Sequence, residues 1–368
     1  MQADKPYLHH GTMFSYYSAK TRAYLSYKHI PFVETYDGKD LSKRIAATTH
    51  KVMIPVVETP DGEILQDTTA IIDALEAVNP ARPAFPEDAV LMLVTRIIEF
   101  IMDELWVTTA MHSRWNDPRS RAFVVSEFGR HIGGSAGLTG EAAMAIGEKV
   151  AAQMMSYLPR LGISELAGQA VVENLFQQTS NLLNSAVGPT RYAFGPRPSL
   201  VDFCLFTGYY AHHYRDQGDS MDFLKSQTPD LCYYLDNLHA AYSTPADGEL
   251  TLSEAFISYL EAIGPIGAEF AQLTIEDAAA SVEQVAPGDV CNGSLGPFIL
   301  HFEGGELHRG SSMFSAWKAQ RITDVYEAMD EADRSRARAL AKRIGWLTFL
   351  ERPATFKLQR DDYQIKRA

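Results

Sequence analysis

The 368-residue sequence predicts an α/β domain over residues 1–79, an all-helical domain over 87–245 and a mostly helical extension over 246–368. Short apolar runs alternate with helix-period segments as far as residue 79. Pro80, Pro83 and Pro86 then crowd one short stretch, which breaks helix and extends the chain, so residues 80–86 read as a linker. Beyond them apolar residues recur at helical spacing over long stretches.

Within the first domain, residues 7–13 read as a strand and 18–28 as a helix, with Tyr24, Leu25 and Tyr27 at helical spacing. Residues 31–36 read as a second strand and 40–48 as a short polar helix. The runs 54–58 and 63–66 flank Thr59-Pro60-Asp61-Gly62, whose Asp-Gly pair favours a hairpin. A helix over 68–78 completes the order βαβ, helix, ββα. In the second domain, helical patterns cover 89–109, 141–158, 170–187, 200–214 and 231–242, and the glycine-rich stretch 116–140 reads as an irregular insertion. The extension predicts helices over 253–262 and 268–281 separated by the breaker Gly264-Pro265, a hairpin around Gly304-Gly305, and helices over 314–329 and 334–350.

Composition narrows the function. With 33 basic and 46 acidic residues the net charge is −13, which argues against a polyanion such as nucleic acid as the partner. Cys204, Cys232 and Cys291 are too few and too scattered for a disulfide framework or a zinc site, and the first ten residues lack the apolar core of a secretory signal, so a cytoplasmic protein is expected. The most apolar stretch, 89–102, is interrupted by Arg96 and Glu99 and is shorter than a bilayer span, so no membrane segment is expected. The neighbouring pairs His9-His10 and His212-His213 diverge on a strand or helix, and no metal is expected.

Three signals in the first domain bear on chemistry, and one in the second is structural and marks a boundary. Ser15-Tyr16-Tyr17-Ser18 lies between the first strand and first helix, where a hydroxyl meets the unpaired amides and positive dipole end that favour an anion; helix capping by Ser15 or Ser18 explains the same residues. Pro55 heads an apolar strand, Ile54 to Val57, where it predicts a bend that frees the Ile54 backbone to pair with an extended peptide; an ordinary edge-strand proline is the alternative. Asp67-Thr68 opens the third helix, where Asp67 or Thr68 either caps it or meets an ammonium and a carboxylate. Ser199 and Asp202 have the offset of a capping box before an apolar helix.

These motifs, in this order, resemble cytosolic glutathione transferases, especially the serine and cysteine classes such as zeta and omega. The run from Ser15 to the Ile30-Pro31-Phe32 ending resembles the family's opening; Ile54-Pro55-Val56 and Asp67-Thr68-Thr69-Ala70-Ile71-Ile72 resemble its Val-Pro and Glu-Ser elements; and Ser199 to Asp202 resembles the box in its helical domain. The resemblance covers residues 5–245. It implies a thioredoxin-like domain that binds glutathione as co-substrate, an all-α glutathione-transferase domain that holds a small hydrophobic electrophile, and a homodimer.

Residue by residue, the resemblance implies that Ser15 donates a hydrogen bond to the glutathione sulfur, with Tyr16 or Tyr17 as substitutes. Ile54 beside Pro55 would pair with the cysteinyl unit, Asp67 and Thr68 would hold the γ-glutamyl end, and Lys51 the glycyl carboxylate. Phe14, Tyr16, Trp106, Met111, Arg114 and Trp115 are where the family lines its electrophile pocket, although such a stripe also reads as core. The sequence departs from the family by the short Asp67-Thr68 pair and the bulky tyrosines. It has no cysteine near Ser15, so a mixed disulfide cannot form there. A glutathione-dependent isomerase, dehalogenase or ether-cleaving enzyme, and a non-catalytic binding protein of this fold, are the alternatives to alkyl or aryl transfer.

Overall fold

The structure is a computed structural model that describes residues 5–35, 38–49, 53–190, 192–291, 293–352 and 354–368. Strand β1 (Tyr7–His10) leads into helix α1 (Tyr16–Tyr27), followed by β2 (Phe32–Thr35) and α2 (Gly38–Thr49). Strands β3 (Val56–Glu58) and β4 (Ile64–Gln66) form a hairpin, and α3 (Thr68–Val78) follows. The sheet order is β2-β1-β3-β4, with β2 parallel to β1 and the other neighbours antiparallel. This is the βαβ, helix, ββα order that the alternating pattern predicts, in the thioredoxin-like arrangement that the resemblance implies. Gly62, at φ 90°, closes the hairpin turn with its N–H on Thr59 O, a backbone region that favours glycine.

The rest is mostly helical: α4 (Ala89–Phe100), α5 (Val107–Trp115), α6 (Pro118–Phe128), α7 (Gly140–Met155), α8 (Leu166–Thr190), α9 (Leu200–Tyr209), α10 (Asp219–Gln227), α11 (Pro229–His239) and α12 (Glu254–Val282). A hairpin of β5 (Ser294–Phe302) and β6 (Gly305–Ser312) precedes α13 (Met313–Glu327), α14 (Glu331–Arg343), α15 (Leu347–Leu350) and a last hairpin, β7 (Leu358–Asp361) with β8 (Gln364–Arg367). Wider π-helical turns at Ile101–Trp106, Gly129–Gly133 and Tyr210–Tyr214 continue α4, α6 and α9. Among the described residues, no helix is long and apolar enough to cross a membrane.

The chain forms two compact units. Unit 1 gathers Met1–Ala84, Ala110–Tyr157 and Pro196–Glu249. Its core includes Tyr24, Leu25, Tyr27, Val57, Ile71 and Phe203, all fully buried, with the Tyr27 and Phe203 rings 5.4 Å apart. The capping box forms as its spacing predicts: Ser199 N–H and Oγ donate to Asp202 Oδ2 at 2.8 and 3.1 Å, and Tyr234 OH donates to Asp202 Oδ1 at 3.0 Å.

Unit 2 gathers Phe85–Thr109, Leu158–Gly195 and Leu250–Ala368. Phe100 meets Phe270 and Trp346 in its interior, and Lys318 Nζ donates to Asp103 Oδ2 at 2.5 Å out of solvent. The hairpin expected around Gly304-Gly305 is present, with Phe302 opposite Gly305.

Two local expectations fail for physical reasons. Most of the stretch 116–140 is helical, because Asp117 caps α6 through Arg119 and Ser120 N–H with Pro118 at the first helical position. Its Gly129 serves close packing: a Cβ there would lie 2.9 Å from Ala143 O on α7. The breaker Gly264-Pro265 does not divide α12. Leu260, Ile263, Ala268, Phe270 and Ala271 are buried on either side of it, and burying several such side chains outweighs the roughly 3 kcal/mol that an interior proline costs.

Candidate functional site

Register assembles the site. His10, the last residue of β1, pairs with Val56, the first of β3, and Val56 pairs with Gln66, the last of β4. The turn of residues 11–15, the Ile54-Pro55 segment and Asp67-Thr68 therefore leave the sheet at one end, although they lie far apart in sequence. Helices α1 and α3 both begin there, so two helix N-termini and their positive dipole ends converge.

Ser15 is the N-cap of α1: its Oγ accepts from Ser18 N–H at 3.3 Å, and its own N–H donates to Thr12 O. Capping and chemistry are compatible here. A hydroxyl has two acceptor lone pairs and one proton, and capping uses only a lone pair. Tyr16 is buried, its ring 5.0 Å from Tyr17 and 5.6 Å from His212, while Tyr17 is half-buried.

Ile54 is half-buried, the Ile54-Pro55 bond is cis, and Gln66 Nε2 donates to Met53 O at 3.1 Å, holding the segment against β4. Asp67 caps α3 by accepting from Thr69 and Ala70 N–H at 3.0 and 3.3 Å. Thr68 is buried, and its hydroxyl oxygen has no hydrogen-bond partner among the described residues. Lys51 lies outside the described residues.

The supporting network is charged and buried. Arg22 Nη2 donates to Thr12 O at 2.8 Å, and Arg114 Nη1 donates to Phe14 O at 2.7 Å, so two guanidiniums pin the turn on which Ser15 stands. Arg114 also donates through Nε to Asp216 Oδ2 at 2.5 Å and through Nη2 to Ala211 O at 2.9 Å. Arg22 meets Glu34 through Nε and Nη2 at 2.6 and 3.0 Å, and His9 Nδ1 lies 2.9 Å from the same carboxylate. Burial pushes the Glu34 carboxyl up, but the hydrogen bonds from His9 and Arg22 outweigh it and hold the group at about 2. At His9 burial dominates and keeps the imidazole below its ordinary value.

Phe14, Tyr16, Trp106, Met111, Arg114 and Trp115 are all buried, and Trp115 stacks on Phe128 with ring centres 6.2 Å apart. Arg114 and Asp216, the pair that braces the turn, have no local sequence signal, since 102 residues separate them. Among the described residues, no group of three His, Cys, Asp or Glu side chains could hold a metal ion.

Residues 14–78 match the family model described as the glutathione S-transferase N-terminal domain. Among solved structures, the chain is similar to a glutathione S-transferase from Rhodospirillum rubrum F11, at 12% identity and TM-score 0.41 over 69% of this chain and 99% of that one. It is also similar to FzlA from C. crescentus, at 15% identity and TM-score 0.40 over 68% and 98% of the two chains. The beta-etherase LigF from Sphingobium sp. strain SYK-6 is a third, at 18% identity and TM-score 0.41 over 70% and 98%. None of the curated proteins compared with the chain matches it.

Proposed function

We propose, for a chain that belongs to the glutathione S-transferase superfamily through residues 14–78, that the end of the sheet binds glutathione and that Ser15 activates its thiol. The observation that carries this reading is the register, which brings Ser15, Ile54-Pro55 and Asp67-Thr68 to one end of the sheet beneath two helix N-termini. In this reading the γ-glutamyl carboxylate meets the buried Thr68 hydroxyl at the start of α3, and Asp67 faces the ammonium. The cysteinyl backbone extends the sheet along Ile54.

In this reading the Ser15 proton, not needed for capping, is donated to the sulfur. A hydrogen bond to the charged form and the dipole of α1 both favour thiolate, lowering a thiol pKa that starts near about 8.5. The thiolate then attacks an electrophilic carbon: the sulfur–carbon bond forms and the leaving group departs with its electron pair. A homodimer and a cytoplasmic location belong to the same reading.

Calorimetric titration with glutathione tests binding, and no heat at millimolar ligand overturns the reading. For Ser15→Ala, turnover falls by about 10- to 100-fold, the worth of a hydrogen bond to a charged group, and the ultraviolet thiolate absorbance of bound glutathione disappears. Ser15→Thr, which keeps a hydroxyl, retains the absorbance. Unchanged turnover in Ser15→Ala assigns the thiol to Tyr16 or Tyr17 instead.

A further inference from the structure

Unit 1 contains a cavity of about 630 Å³, within the range of small-molecule sites. Arg119, Arg215 and Lys225 line it together with Tyr210, Tyr214 and Met221, and no carboxylate is among the lining residues. The two arginines are held by ion pairs. Arg119 Nη2 donates to Asp219 and Asp222 at 2.5 and 2.8 Å, and Arg215 Nη2 donates to Glu127. Arg215 Nη1 is buried and makes no hydrogen bond among the described residues; Asp216 Oδ1 lies 3.8 Å from it.

Lys225 is different. Among the described residues no carboxylate pairs with it, and its Nζ stands 5.7 Å from the centre of the Tyr214 ring. Tyr210, also in the lining, is stacked with Phe206 at 4.4 Å and with His239 at 5.0 Å. The wall adjoins the Ser15 turn: the Arg215 guanidinium lies 6.0 Å from the Phe14 ring, and Arg114 binds both Phe14 O and Ala211 O.

We propose that this cavity receives the second substrate and that this substrate is a small organic anion, a carboxylate on an aromatic or conjugated frame. Lys225 meets the carboxylate, with Arg215 Nη1 as a second donor, and Tyr214 and Met221 cover the carbon frame. As the role of an electrophile, this rests on the glutathione reading above; as a binding site it stands alone. It departs from a purely hydrophobic electrophile because a cationic wall is costly to desolvate for a neutral ligand and favourable for an anion.

The test is equilibrium binding of para-nitrobenzoate and its neutral isostere para-nitrobenzamide to the full chain, with glutathione binding measured alongside. The benzoate binds about tenfold tighter than the amide. Lys225→Gln, an exposed position where folding is not at risk, abolishes that preference, whereas Lys225→Arg keeps it. Equal binding of the two probes, or a preference that survives Lys225→Gln, overturns the proposal. A benzoate preference without glutathione binding upholds the anion site and removes the transferase reading; glutathione binding without the preference does the reverse.

Discussion

Arg114→Ala lowers the unfolding free energy by about 3–5 kcal/mol, the cost of stranding a buried charge. The substitution leaves Asp216 without its main cationic partner in the interior and strips donors from Phe14 O and Ala211 O. Lysine does not rescue it, because three partners are held by the planar fork of one guanidinium and an ammonium cannot reproduce that geometry. Urea unfolding measures the loss.

A paired change, Arg114→Met with Asp216→Leu, recovers most of the stability, since apolar residues replace a buried ion pair at little cost. It does not recover glutathione affinity, because Phe14 O still lacks its brace and Ser15 stands on a looser turn. An Arg114→Ala midpoint equal to that of the parent refutes the assignment.

The second large effect is acid lability. His9, His212 and His213 are fully buried, and burial lowers the pKa of each below 6.5, with charge from Arg114 adding to the effect at His212 and His213; His213 is brought to about 3. The unfolded chain therefore takes up protons before the native one. Stability is full above about pH 6.5 and falls as pH drops toward the native values. Between pH 6.5 and pH 5, His213 alone removes about 2 kcal/mol.

Glu34 acts lower on the scale with the same sign. Its carboxyl is held at about 2 against an ordinary 4.5, so its contribution, about 3 kcal/mol, is complete above pH 4.5 and is lost as pH falls toward 2. The expected record is a urea midpoint that declines from pH 7 to 5 and more steeply below 4.5. His213→Gln flattens the upper part of the decline. Identical midpoints at pH 7.5 and pH 5 exclude this account.

The thioredoxin-like order of elements was legible because strand and helix periods differ and the Asp61-Gly62 turn has its own chemistry. Ser15, Ile54, Pro55, Asp67 and Thr68 were legible as motifs, yet what makes them one place is strand register, a property of pairs of segments that no single segment displays. Gly129 misled because glycine has two uses, bending a chain and admitting a neighbouring helix, and only the neighbour tells them apart. Pro265 misled because local helix cost is set against burial contributed by distant residues. The pairing of Arg114 with Asp216, and the convergence of Arg119 with Arg215 and Lys225 on one cavity, arise across the fold and carry no local pattern.

The interleaving of the two units bears on the order in which the chain acquires structure during synthesis. Unit 1 is complete once residue 249 has left the ribosome, but residues 85–109 and 158–195 of unit 2 must then wait for 250–368. Through that interval the apolar stripe of α4, with Leu91, Val94, Ile97 and Ile98, has no α13 to cover it. The nascent chain thus passes through a stage in which one unit is native and the other is a sticky pair of fragments, a stage that favours aggregation or chaperone capture. Ribosome-stalled chains in which residue 249 has just cleared the exit tunnel should resist proteolysis in unit 1 alone, and protection of both units at that length would show that the final third is dispensable for folding.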